Sequence, residues 1–490
     1  MATVDTEIRE CRHFIGGEWV DAETGDTFDD LDPFTRESVA RVAAGRRDDA
    51  RRAVDAAAEA FPAWSRTPPA ERQRVFLHAA DALERRRDEI VSWLARETGA
   101  TVGFGMFQMG FVPNLLRQVA ALPYAPIGQI IPSDHADFAM GLRNPVGVVG
   151  AIAPWNAALI LSARALAAPL ALGNTVVLKP SEFSPYAGGL VWGEIFAEAG
   201  LPPGVLNVVT HAPAEAAEIG DELVSNPHVR RINFTGSTAT GRKLAEAAGR
   251  NLKRVVLELG GYNPLIVLAD ADLDYAVDAA AFGAYLHQGQ ICMSARRIVV
   301  ERPIADEFVR KLAEKTTGLK AGDPKQPDTI IGPLINERAV ETVKARVEDA
   351  VAKGAKVLAG GKADGPVYHA TLLADVPEGA EFARLETFGP VAAIEVVDGA
   401  DEAVERANAT SYGLASGIIT SDTDRGLALA RRIEAGIVHV NDQPIGDEPQ
   451  MPFGGVKESG LGRFGGTAAL NEFTELHWIT VQSGSHPFPF

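Results

Sequence analysis

Cysteine is almost missing from this chain: only Cys11 and Cys292 occur among 490 residues. At most one disulfide can form, which excludes a disulfide-stapled scaffold and gives no sign of an oxidising compartment. A basic-then-apolar leader is also lacking, since Met1–Glu10 is polar and acidic, unlike a secretory signal. The longest apolar region, Ala157–Leu172, is broken by Arg164 and Pro169. It falls short of the roughly 20 apolar residues that a membrane-spanning helix needs. Positive charge is scarce: 47 Lys and Arg stand against 65 Asp and Glu, a formal net charge of −18. Such a surface repels nucleic acid and anionic lipid. No short repeat, low-complexity tract or metal-ligand pattern stands out. The expectation is a cytoplasmic protein acting without nucleic acid, membrane or metal.

The composition that remains is globular, 46% hydrophobic and 23% charged, in a chain too long for one core, so two or three domains are expected. After Asp48, small apolar residues recur at helical spacing through Ala60. Glu71–Glu97 continues the pattern up to Gly99, a plausible stop. Cys11 precedes this and is expected to lie before the first folded segment. Short, valine-rich runs then alternate with helical stretches: Val146–Ala153, Thr175–Leu178, Val205–Val209, Arg231–Phe234 and Val255–Leu259. The alternation resumes with Leu265–Leu268, Ile298–Val300, Val391–Val397, Ala415–Ile419 and Ile437–Val440. That is the pattern of doubly wound, mostly parallel α/β sheets, one before and one after about Gly260. Leu122–Gly141, rich in Pro and Ile, reads as a hairpin-like excursion, and Phe473–Gln482 as a tail strand. Without an obvious partner in either unit, both are candidates for oligomer contacts.

Several segments carry chemistry. Cys292 lies in Gln-Gly-Gln-Ile-Cys-Met-Ser. A lone cysteine is most often a small core hydrophobe, but this setting is polar, and a thiolate attacks carbonyl carbon well. Glu258 interrupts an apolar strand just before Gly260 and Gly261. It is either a solvated edge charge or a buried carboxylate with a raised pKa, fit to be a general base. Asn156 follows the strand Val146–Ile152 in Ala-Pro-Trp-Asn, where ligands bind in parallel sheets. Its amide is a turn residue or an oxyanion donor. Lys179 and Glu182, in Leu-Lys-Pro-Ser-Glu, could both reach a ribose. Phe234–Gly241 ends a strand and opens a helix whose N-terminus suits a pyrophosphate, although it is not the Gly-x-Gly-x-x-Gly fingerprint. Glu386 adds a carboxylate beside Phe388.

Together, in this order and spacing, these motifs closely resemble the aldehyde dehydrogenase superfamily, from about Phe14 to the last residues. The resemblance implies a Rossmann-like cofactor domain (1–121 and 142–259), an α/β catalytic domain (260–456) and a small β oligomerisation arm (122–141 and 457–490). It implies Cys292 as nucleophile, Glu258 as general base and Asn156 as oxyanion donor. Trp155, Lys179, Ser181, Glu182, Gly236, Ser237, Gly241, Glu386 and Phe388 would then meet NAD, with NADP as an alternative. Ala157, Arg164, Ile291, Met293 and Phe453 would line the substrate pocket, and the family's members are dimers or tetramers. The reaction implied is oxidation of an aldehyde to its acid through a Cys292 thioester. Where many relatives have a lysine nine residues after the asparagine, this chain has Ala165, with Arg164 one place earlier. Arg164 either supplies the missing charge or faces the substrate. Asp442–Gly455, and Tyr262 after the two glycines, resemble the branch that oxidises benzaldehyde, vanillin and salicylaldehyde. The alternative is a semialdehyde whose distal carboxylate would be anchored by Arg164.

Overall fold

The computed structural model describes residues 8–490; most of the polar start Met1–Glu10 lies outside them. Two α/β units dominate. The first is an eight-stranded sheet whose five central strands are parallel, in the order Arg254–Glu258, Val229–Thr235, Val148–Ile152, Thr175–Lys179 and Leu206–Val208. Antiparallel strands close its edges: Gly460–Leu461 on one side, His13–Ile15 and Glu18–Val20 on the other. The second sheet has seven strands. Thr371–Ala374, Val391–Val397, Ala295–Glu301, Asn263–Val267, Ala415–Ile419 and Ile437–Val440 run parallel, with Lys356–Ala359 antiparallel at one edge. Every residue of Val148–Ile152 and of Thr175–Lys179 is buried. A parallel strand covered by helices on both faces must read as a continuous apolar run, and that is how these two read.

The apolar run Ala157–Leu172 has the same explanation. Its helix, Ala158–Ala171, is buried almost all round, packed on the first sheet and on the helix Val102–Val119. An all-apolar helix of this length is a core helix, and no helix among the described residues is long and apolar enough to cross a membrane. The Glu71–Glu97 pattern is two helices, Pro69–Arg85 and Arg87–Thr98. They part at Arg86, whose guanidinium donates to Glu89, Glu194 and the Tyr186 hydroxyl. Gly99 ends the second helix at φ +66°, a left-handed cap that favours glycine.

Two expectations need correction. Cys11 does not precede the folded region: it ends the strand Arg9–Cys11, pairs in register with Val42 and is 6% exposed. The alternation signal missed this N-terminal layer because its strands are short, and Thr27–Leu31 is largely polar. The segment 457–490 also divides. Gly460–Leu461 joins the first sheet beside Glu258, whereas Thr474–Val481 pairs antiparallel with Phe138–Pro145, which pairs with Gly128–Ile130. The excursion and the tail strand are therefore each other's partners. They form a three-stranded sheet that leaves Ile127, Ile130, Leu476 and Trp478 exposed.

Candidate active site

Four loops leave the carboxyl ends of adjacent parallel strands of the first sheet, and each carries an expected site residue. Asn156 follows Val148–Ile152, Lys179 ends Thr175–Lys179, Gly236 follows Val229–Thr235, and Glu258 ends Arg254–Glu258. Cys292 comes from the second unit, just before the strand Ala295–Glu301.

The approach to Cys292 is an unusual turn. His287, Gln288 and Gly289 all have positive φ, +50°, +54° and +63°. Two consecutive non-glycine residues in the left-handed region are strained and need outside support. Gln288 supplies some of it, donating through Nε2 to the carbonyls of Gly99 and Pro333, each at 3.0 Å. The buried Arg296 guanidinium donates to the carbonyls of Gly289 and Gly389. His287 stacks on Phe104 with centroids 4.4 Å apart. Beyond the turn, Asn263 donates through Nδ2 to the Cys292 carbonyl at 2.7 Å. Gly261 lies so close that a Cβ there would stand 2.4 Å from the same oxygen. Tyr262 is anchored by its hydroxyl on the Phe382 carbonyl at 2.8 Å.

Asn156 is brought to this turn. It is 5% exposed, and its Nδ2 donates to the Gln290 carbonyl at 2.9 Å. A carbonyl only accepts, so this bond fixes which end of the amide donates and ties it to the backbone two residues before Cys292. Glu258 is a buried carboxylate, 2% exposed, with no side-chain hydrogen-bond partner among the described residues. A Cβ on Gly454 would stand 2.5 Å from its Oε1, so only glycine lets that backbone pass. Burial pushes the Glu258 carboxyl well above the usual range, although the charges of Arg463 and Arg164 act against this. Burial also raises the Cys292 thiol, helped by the charges of Glu386, Glu258 and Asp447. A thiol raised in this way needs a base or an incoming positive charge to favour its thiolate.

Arg164 does not present a free guanidinium. Its side chain is 2% exposed, ion-paired to Asp447 through both Nε and Nη2, and donates to the Glu448 carbonyl at 3.3 Å. The rings of Phe111 and Phe453 flank it, 5.4 and 5.2 Å from its carbon. Ile291, Met293 and Phe453 are buried in one apolar cluster, with Ala157, Cys292 and Ile445 packed against it. Phe104, Met109 and Phe111 belong to the same cluster, while Phe107 is exposed.

The residues expected to meet the cofactor form a second group. Ser237 caps the helix Thr238–Arg250, its Oγ accepting from the Thr240 N–H at 3.3 Å. A Cβ on Gly241 would meet Leu259 at 2.4 Å, and one on Gly236 the Phe234 ring at 2.5 Å. This helix end therefore packs tightly on the strand and offers backbone N–H groups to an anion. Ser181 donates to Glu182 at 3.1 Å. Trp155 meets Phe388 edge to face at 5.7 Å. Glu386 is half-buried and accepts from the Gly261 N–H at 3.3 Å. Burial lifts its carboxyl to about 7 against the pull of Arg296. A helix N-terminus for a pyrophosphate, acid and base groups for two riboses and a paired aromatic for a ring fit a dinucleotide. Among the described residues no group of His, Cys, Asp and Glu could hold a metal ion.

The sequence motifs did not single out Gln288, Gln290, Asn263, Arg296, Asp447 or His211. Of these, His211 had a findable signal, because it follows the strand Leu206–Val208 at the same carboxyl edge.

Comparison with known proteins agrees with this geometry. A model of the aldehyde dehydrogenase family matches residues 19–479. The chain is 48% identical to a vanillin dehydrogenase of Pseudomonas fluorescens over 476 residues, covering 97% of this chain and 98% of that protein. It is 44% identical to an NAD-dependent benzaldehyde dehydrogenase of Pseudomonas putida over 479 residues, 97% of each. The crystal structure of a salicylaldehyde dehydrogenase from Pseudomonas putida, complexed with salicylaldehyde, superposes with a TM-score of 0.96 at 43% identity, covering 98% of this chain and 100% of that one. A match of this extent, over a fold and a cysteine-centred site of this kind, means that the chain belongs to the aldehyde dehydrogenase family and is an aldehyde-oxidising oxidoreductase.

Proposed function

We propose that the chain oxidises an aromatic aldehyde of the benzaldehyde type to the carboxylic acid, with NAD as the preferred cofactor and Cys292 as the nucleophile. The observation that carries this reading is the Cys292 turn held against the Asn156 amide at Gln290, with the buried Glu258 close enough for its charge to act on the thiol. Cys292 Sγ adds to the carbonyl carbon as its proton is taken up by a base. The Asn156 Nδ2–H and the Cys292 backbone N–H receive the oxyanion, and losing one such donor costs about 2.7–4 kcal/mol. NAD, when bound, supplies the acceptor for the hydride that the former aldehyde carbon gives up. Glu258 then removes a proton from water, which attacks the Cys292 thioester and releases acid and thiol.

Lys179, Ser181 and Glu182 would hold the adenosine ribose, Gly236, Ser237 and Gly241 the pyrophosphate, and Glu386 with Trp155 and Phe388 the nicotinamide end. The aromatic substrate is supported by the vanillin, benzaldehyde and salicylaldehyde dehydrogenases among the relatives and by the apolar cluster that includes Phe111, Phe453, Ile291 and Met293, against which Cys292 packs. The Asp447 pairing of Arg164 weighs against an anchor for a distal carboxylate. We assign 1–121 with 142–259 to the cofactor part, 260–456 to the catalytic part, and 122–141 with the tail strand Thr474–Val481 to the oligomerisation part. The exposed Trp478, Leu476 and Ile130 would be covered in a homodimer or homotetramer, in the cytoplasm.

The test is kcat/KM across benzaldehyde, vanillin, heptanal and succinic semialdehyde. The aromatic aldehydes should lead, by about 1–3 kcal/mol for each apolar group recognised. Arg164→Ala should depress all four alike. An optimum at succinic semialdehyde, lost selectively in Arg164→Ala, would reverse the substrate reading and leave the family untouched.

A further inference from the structure

Lys179 is 7% exposed, and its ammonium does not turn to Glu182, three residues on. It goes instead to His211, with Nζ 2.6 Å from Nε2. His211 is 1% exposed and follows the neighbouring parallel strand. Its tautomer can be deduced. The Lys179 ammonium has only donors, so Nε2 beside it holds the lone pair, and Nδ1 carries the proton that it donates to the Ala212 carbonyl at 2.8 Å. Nε2 therefore accepts from Lys179. The Pro180 carbonyl, 3.1 Å from the same Nε2, would be its acceptor in the other tautomer, which the Lys179 ammonium at 2.6 Å excludes. Burial, together with the Lys179 charge, lowers His211 to about 3, so it is neutral at working pH. Burial lowers Lys179 to about 8, while the Glu182 charge acts to keep it protonated. Glu182 remains half-buried, its one side-chain hydrogen bond among the described residues coming from the Ser181 hydroxyl.

We infer that His211 is a positioning residue for cofactor choice: by accepting from Lys179 it keeps the ammonium off Glu182, leaving that carboxylate charged to bind a ribose 2′-hydroxyl and repel a 2′-phosphate. The inference rests on the reading of Lys179 and Glu182 as ribose-side residues. Without His211, the buried ammonium has one obvious new partner, Glu182. That pairing removes both the acceptor for the hydroxyl and the charge that rejects the phosphate.

The experiment is calorimetric titration of the full-length protein with NAD and with NADP, which reads binding without turnover. His211→Ala should weaken NAD about tenfold, the scale of one charge-assisted hydrogen bond. NADP should weaken less, so the NADP-to-NAD ratio of Kd falls at least about threefold. His211→Gln, whose Oε1 can still accept from Lys179, should hold the ratio near wild type. In Lys179→Ala, adding His211→Ala should change the ratio no further. If His211→Ala weakens both cofactors in proportion, its role is merely structural and the inference is overturned. If Lys179→Ala shifts the ratio and His211→Ala does not, the inference fails while the ribose assignment stands. If Lys179→Ala leaves both Kd values unchanged, the ribose assignment itself is wrong.

Discussion

The two sheets serve the site in different ways. The first sheet presents Asn156, Lys179, Gly236 and Glu258 directly from the carboxyl ends of four neighbouring parallel strands. Each strand is held by its ladder, with one irregularity at Val229–Arg231, at the end away from the site, so each residue's place follows from the strand that carries it. The second sheet offers Cys292 at the amino side of a strand, after a left-handed turn that no ladder supports. Distant groups must hold that turn: Gln288 on Gly99 and Pro333, Arg296 on Gly389, Asn263 on the Cys292 carbonyl. One unit gives position through regular structure, and the other through long-range hydrogen bonds to a strained backbone.

The sharpest test of this division removes the proposed nucleophile. Cys292→Ala should lower aldehyde oxidation by roughly four orders of magnitude or more, while NAD affinity, which depends on the first sheet, should stay near wild type. Reduced-cofactor absorbance and calorimetry measure the two. A variant that lost both together would show that the turn also builds the cofactor site. Next in size is the first sheet's proposed base. Glu258→Gln should reduce kcat by roughly 10²–10⁴-fold. A burst of about one equivalent of reduced cofactor should precede slow turnover if the base acts mainly on the thioester. As the proposed base, Glu258 must be ionised to act, and burial raises its pKa. Wild-type activity should therefore fall on acidification at a pH above the ordinary carboxylate range near 4.3, and the glutamine variant should lack that limb. An acid limb unchanged in Glu258→Gln would assign it to another group, with Glu386, lifted to about 7, first in line.

How much of this was legible in the sequence follows the same division. The parallel strands were readable from Val148–Ile152 onwards because strands buried on both faces spell themselves as apolar runs, and their loops could be searched for chemistry. Cys292 was found from its local setting and from the family resemblance. The turn that aims it was not, because nothing in the residues Leu286–Gly289 announces that two non-glycine residues adopt positive φ. Their stabilising partners lie as far as 189 residues away, as Gly99 does from Gln288. Arg164 shows a similar gap. Its charge was evident, but its pairing with Asp447, 283 residues on, is a tertiary fact.

The turn's dependence on remote partners has its own consequence. Gln288→Ala leaves two buried carbonyls without their donor, a loss of about 1–3 kcal/mol in stability, and lets the turn relax. A misplacement of about 1 Å can cost up to 10²-fold in rate, and a partial relaxation should cost less. We expect kcat to fall about tenfold with the Kd for NAD unchanged and a lower Tm. A variant with lower Tm but full kcat would mean that Arg296 and Asn263 hold the turn without Gln288.

The smallest effect on catalysis belongs to the other cysteine. Cys11 lies in a strand on the far edge of the N-terminal layer, packed in the core that also holds Phe14 and Trp93. Burial pushes its thiol up to about 12, with the Glu97 charge acting in the same direction, so it is a neutral, apolar filler rather than a reactive group. Cys11→Ser should therefore leave kcat and KM unchanged. It should still not be silent, because a hydroxyl in place of a buried thiol must find a partner or cost about 1–3 kcal/mol. Thermal unfolding should show a Tm lower by a few degrees, and Cys11→Ala a different loss, one of packing without a polar group to satisfy. Unchanged stability in both variants would mean that the strand Arg9–Cys11 adds little to the core it covers, whereas lost activity with an unchanged Tm would mean that this edge communicates with the Cys292 turn.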